Sequence, residues 1–87
     1  MATTNKTFTA GELMGCVIGL DAMLDMQPDR CTGMSAEQVV NYYASREVFA
    51  ELEEDLGVGF RTYEENLQLV AACKNTLLSV AHHHGHN

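Results

Sequence analysis

One local signal occurs three times in this chain and constrains its fold more than any other. Thr9-Ala10-Gly11-Glu12, Ser35-Ala36-Glu37-Gln38 and Thr62-Tyr63-Glu64-Glu65 each read as a capping box. The hydroxyl accepts from an early backbone N–H, and the side chain three residues on reaches back to the cap. Phe8 with Leu13, and Met34 with Val39, supply hydrophobic staples for the first two. Each box opens a run with helical periodicity. The breaks agree. Residues 27–33 hold Pro28 and Gly33, and Gly57 with Val58 forms a natural helix C-terminus, Val58 folding back towards Leu52. No run alternates with period two, so no sheet is expected. The expectation is an all-α bundle of three to four helices, at about 10–25, 36–44 with 46–56, and 63–80. They form a single domain over 1–87, with 1–8 and 81–87 as flexible ends.

The first helix has two apolar sides. At ~100° per residue, Leu13, Cys16, Val17, Leu20 and Leu24 make an ordinary core stripe. Gly11, Gly15 and Gly19 lie opposite, with Ile18, Ala22 and Met26. An interior glycine costs ~1 kcal/mol relative to alanine, so something must offset it. Close approach of another backbone does so, within the bundle or from a second copy of the chain. The expectation is therefore a first helix enclosed on two sides, with a homodimer through its glycine face.

In 36–56, Val39, Val40 and Tyr43 point one way while Val48, Phe49, Leu52 and Leu56 point the other. A break near Ala44-Ser45, with Ser45 capping a new helix, resolves this. In 63–80 the apolar arc holds Tyr63, Leu67, Val70, Cys73, Leu77, Leu78 and Val80, with Lys74 snorkelling out of it.

Twelve acids against five bases leave a net charge of −7. Phosphate backbones need clustered Lys and Arg, whereas Lys6, Arg30, Arg46, Arg61 and Lys74 are scattered, so nucleic acid is not an expected partner. The longest apolar run, Leu13 to Leu24, is interrupted by Asp21 and too short to span a bilayer. The first ten residues lack the apolar core of a signal peptide. Cys16, Cys31 and Cys73 are odd in number and show no CxxC spacing, which suits a reducing cytoplasm. Cys16 and Cys73 read as buried thiols, and Cys31 as an exposed loop thiol.

Histidine is absent before residue 82, so no Ser-His or Cys-His pairing is expected within the helical body. HExxH, a P-loop and GxGxxG are all missing. His82, His83, His84 and His86 are the candidate metal ligands, chemically suited to nickel, copper or zinc but set on a terminus expected to fray. Asp21 and Asp25, four apart, repel slightly and offer no pocket for acid–base work. Glu51, Glu53, Glu54 and Asp55 crowd the end of a helix, where the macrodipole disfavours negative charge. Glu47, Glu51, Glu54 and Asp55 are the candidate electrostatic contacts for a basic partner.

The stretch FAELEEDLGVGF, residues 49–60, resembles the end of the second helix and the following turn in acyl carrier proteins. That resemblance implies a carrier-like helical fold. The family carries its prosthetic arm on a serine fifteen residues before the glycine, and here that position falls in Asn41-Tyr42-Tyr43. The implication is a carrier-like accessory without phosphopantetheine. The residues themselves lead to a small acidic protein–protein interaction module of the regulator, inhibitor or immunity type, with no enzymatic activity and no cofactor. A metal-handling protein using the His-rich end is the other alternative.

Overall fold

The computed structural model describes residues 7–56 and 61–87, the side chains of Asp55 and Leu56 excepted. Five helices follow in order: α1 (Ala10–Met26), α2 (Ala36–Tyr43), α3 (Arg46–Leu56), α4 (Tyr63–Ala72) and α5 (Lys74–His83). The described residues contain no strand. All three capping boxes are closed in both directions, at Thr9 with Glu12, Ser35 with Gln38 and Thr62 with Glu65. Each satisfies two backbone donors that a helix start otherwise leaves orphaned. The proposed cap at Gly57 lies outside the described residues.

Helices α2 and α3 are separate, as the opposed apolar faces require. Ser45 donates its backbone amide to the Tyr42 carbonyl at 2.9 Å, and its Oγ accepts from Val48 N–H at 3.3 Å. The last helical stretch departs from expectation. It is two helices, because the chain breaks at Cys73, whose backbone leaves the helical region (φ −114°, ψ 22°). No Pro or Gly marks this break. The Cys73 Sγ donates to the Leu69 carbonyl at 3.2 Å, in competition with its own backbone amide. Side-chain bonding back to the i−4 carbonyl bends helices in this way. The bend changes which residues face inward. Leu69, Val70, Leu77 and Ala81 are buried, while Leu67 is 40% exposed. Lys74 stays half-exposed, its Nζ 3.9 Å from a Glu37 carboxylate oxygen.

The core joins the inner stripe of α1 (Cys16, Leu20, Leu24) to Val39, Val40 and Tyr43 of α2, Val48 of α3, and the buried faces of α4 and α5. Helix α5 packs against both α1 and α2. Cys31, expected to be exposed, is fully buried in this core. Successive turns from Gln27 to Met34, ending beside Gly33 at φ +84°, fold the 27–34 connection inward and carry the thiol with it.

Candidate interaction surface

The two sides of α1 have different surroundings. On the inner side, the Tyr43 hydroxyl donates to the Cys16 carbonyl oxygen at 2.9 Å and is buried. Gly19 makes this possible. A Cβ at position 19 would stand 2.5 Å from the Tyr43 hydroxyl oxygen, closer than atoms pack. A bare backbone there lets a tyrosine dock on a helix carbonyl, and the close contact offsets the helical cost of the glycine.

The other side is open. A Cβ at Gly15 would meet nothing within 4 Å, and one at Gly11 would meet only the Thr9 hydroxyl at 3.8 Å. Met14, Ile18 and Met26 are 62%, 58% and 78% exposed. Gly11, Gly15 and Ala22 lie exposed between them. Within the chain, then, α1 is covered on one side rather than two. Of the three glycines, only Gly19 is explained by internal packing. Single exposed apolar residues are ordinary, whereas α1 carries three large ones, Met14, Ile18 and Met26, on its uncovered side. Only carboxylates, Asp21 and Asp25, add charge to this part of α1, which contains no Lys or Arg.

The acidic candidates on α3 divide. Glu51 is taken up internally: its carboxylate receives the Arg30 guanidinium at 2.5 Å. Arg30 also donates to the Tyr42 hydroxyl at 2.8 Å and to Gln27 at 3.0 Å. Tyr42, most of all, and Glu51 raise the Arg30 pKa above its ordinary value by accepting its hydrogen bonds. The cluster pins the 27–34 connection to α2 and α3. Glu47 and Glu54 are exposed, as is Glu53, and the Asp55 side chain lies outside the described residues. Arg46 stacks over the Tyr63 ring at 4.2 Å, and Tyr63 meets Phe49 at 5.7 Å between ring centroids. This aromatic contact ties α3 to α4.

The histidines are not a loose cluster. Gly85, at φ +96°, ends α5 in a Schellman motif: His86 N–H donates to the Ala81 carbonyl at 3.0 Å, and Gly85 N–H to His82 at 2.9 Å. The chain then turns back, and the Asn87 carbonyl accepts from Ala36 N–H at 3.1 Å. His84 Nε2 bonds Asp21 Oδ1 at 2.7 Å, and His86 Nδ1 bonds the Met34 carbonyl at 3.0 Å. His82 and His83 are exposed. Thus 81–87, expected as a flexible end, pack onto α1, α2 and the connection before α2. Among the described residues no group of three His, Cys, Asp or Glu is placed to hold a metal ion. The signal for this arrangement is local: Gly85 occupies the helix-ending position that glycine favours.

All three cysteines are free and buried. Burial, then the neighbouring Cys73 thiol, pushes the Cys16 thiol up to about 12. Burial raises Cys31 and Tyr43 likewise. These groups stay neutral at physiological pH and serve packing, since a thiolate is the reactive form. No described helix is long and apolar enough to cross a membrane. Comparison with protein families, curated proteins and solved structures gives no match for this chain.

Proposed function

We propose that this chain is a small acidic protein–protein interaction module, a regulator, inhibitor or immunity-type partner of a basic protein, without catalytic activity of its own. The observation that carries the reading is the uncovered ridge of α1, with Met14, Ile18 and Met26 all more than half exposed along one side. The fold does not need this surface, and contact with protein is the use that an apolar ridge serves. The charge supports the choice of partner. Glu47, Glu53 and Glu54 are exposed on α3, and the chain's net charge is −7. Such a field accelerates encounter with a basic surface and suppresses acidic partners. The three free thiols support a reducing compartment, the cytoplasm, as the place of action.

The test is capture from the native host with three baits: the unaltered chain, Ile18→Asp, and Glu47→Lys with Glu54→Lys. The expected result is one basic protein held by the unaltered chain, released as salt rises, and lost with either altered bait. A capture profile identical for all three baits overturns the proposal.

A further inference from the structure

Two of the three thiols meet in the core. Cys16 comes from the middle of α1 and Cys73 from the junction of α4 and α5, yet their side chains are neighbours. Both are free, and only 7% and 8% exposed. The Tyr43 hydroxyl stands beside the pair and donates to the Cys16 carbonyl oxygen at 2.9 Å. Cys31 lies apart, beside Arg30 rather than a second thiol. Packing asks only for small apolar side chains at positions 16 and 73, and two adjacent thiols add a chemistry that such side chains lack.

The backbone at Cys73 suits that chemistry. A disulfide needs its two Cα atoms within a narrow range of separations, so a residue that can shift is easier to bridge than one locked in mid-helix. Cys73 is the C-cap of α4 and the N-cap of α5, with φ −114° and ψ 22° outside the helical ladder. Its Sγ is held by the Leu69 carbonyl at 3.2 Å, an acceptor that also receives the Cys73 backbone amide at 3.2 Å. Giving up the thiol therefore leaves the Leu69 carbonyl with a donor.

We propose that Cys16 and Cys73 are a redox pair, which closes into one intramolecular disulfide and staples α1 to the α4–α5 bend. The oxidant is a small disulfide of the oxidised-glutathione class. One protein thiolate attacks it, forming a mixed disulfide and expelling one small thiol. The second protein thiolate then attacks the mixed disulfide and expels the other. The protein loses two S–H bonds and gains one S–S bond, while two electrons and two protons leave on the two small thiols. In a reducing compartment the pair rests as thiols. Burial, then the neighbouring Cys73 thiol, disfavours the Cys16 thiolate, whereas the charge of Arg61 favours it. Closure is accordingly slow and waits for opening at the bend, so the pair answers sustained oxidation. Once closed, the link removes freedom from a loop of about 60 residues in the unfolded chain, and the oxidised form is the more stable one.

The test equilibrates the full chain with oxidised or reduced glutathione, blocks remaining thiols in denaturant, and maps the peptides. Cleavage after Lys and Arg places Cys16 in 7–30, Cys31 in 31–46 and Cys73 in 62–74, so each thiol is read separately. The expected result is a 7–30 peptide linked to a 62–74 peptide of the same chain, with Cys31 blocked. Thermal melting of the oxidised chain is expected ~10 °C or more above the reduced chain. With Cys73→Ala, the two treatments give the same melting temperature. Three blocked thiols after oxidation, Cys31 in the linked product, or a link between two chains overturns the proposal. So does a 16–73 link that leaves the melting temperature unchanged or lowered. The map uses the unaltered chain, so it decides whether or not the variant folds.

Discussion

Gly15 and Gly19 are one helical turn apart in the same helix, yet they answer to different constraints. A methyl group at Gly19 would collide with the Tyr43 hydroxyl at 2.5 Å; one at Gly15 would touch nothing within 4 Å. Gly19 belongs to the fold, because without it α2 cannot dock its tyrosine on the Cys16 carbonyl. Gly15 belongs to a surface that the single chain leaves bare. Spacing alone makes the two look equivalent, and only the neighbours separate a glycine that internal packing requires from one that faces open space.

The sharpest way to break this comparison is Gly19→Ala. The added Cβ overpacks the α1–α2 contact, at about 1–3 kcal/mol. It also pries the buried Tyr43 hydroxyl off its acceptor, for a further ~1–3 kcal/mol. Better helix propensity returns ~1 kcal/mol. The expected net loss is about 2–3 kcal/mol, a fall of roughly 10–20 °C in Tm for a domain this size, read by thermal melting. A Tm unchanged or raised would mean that Gly19 is as unconstrained as Gly15.

Alkaline titration probes the same inner side without mutation. The Cys16 thiol, ordinarily near 9, is held up to about 12 by burial and by the neighbouring Cys73. The folded state thus keeps this proton longer than the unfolded state does. Its contribution to stability is complete below pH ~9 and is lost as pH rises towards ~12. The slope is at most ~1.4 kcal/mol per pH unit for one group. Tyr43, raised by the same burial, steepens the loss above its ordinary range. Urea titrations under reducing conditions between neutral pH and pH ~10.5 should lose about 2 kcal/mol, and a Cys16→Ala variant should lose less. An identical decline in both would place the alkaline sensitivity elsewhere.

Tyr43→Phe isolates the hydrogen bond. The Cys16 carbonyl lies within the backbone ladder of α1, so losing the hydroxyl costs only ~1 kcal/mol by denaturant melting. The informative quantity is the coupling. When Tyr43→Phe is already present, Gly19→Ala should cost at least ~1 kcal/mol less than in the unaltered chain, because the atom it strikes is gone. Strict additivity would separate Gly19 from Tyr43.

What the sequence makes legible follows the range of the forces. Each capping box is closed between residues three apart, so Thr9, Ser35 and Thr62 could be read with no knowledge of the fold. The inner stripe of α1 and the separation of α2 from α3 follow from 3.6-residue periodicity. Whatever depends on a distant partner was not legible. Tyr43 reaches Cys16 across 27 residues, Cys31 is buried by a folded-in connection, and Arg30 finds Glu51 across 21. The break at Cys73 is local but has no Pro or Gly to announce it, only a thiol bonded to the carbonyl four residues back. The histidines are the reverse case. Their composition suggests a loose tail, while Gly85 carries the helix-ending signal that places His84 on Asp21 and His86 on Met34. For the interaction surface, periodicity puts Gly11, Gly15, Ile18, Ala22 and Met26 on one side but does not say that the chain leaves that side uncovered.

The smallest expected effect is the most discriminating between the two glycines. Gly15→Ala, measured at low micromolar concentration, should stabilise the chain by about 0.5–1 kcal/mol. The position is helical and open, and alanine removes the conformational freedom that glycine brings to the unfolded state. The gain would be read as a Tm higher by several degrees. A glycine that could be replaced with profit, yet sits in mid-helix between exposed Met14 and Ile18, is one whose advantage lies outside the isolated fold. If Gly15→Ala destabilised the monomer instead, some contact within the chain would already press on that position. The distinction between a glycine of the core and a glycine of the surface would then fail at its simpler end.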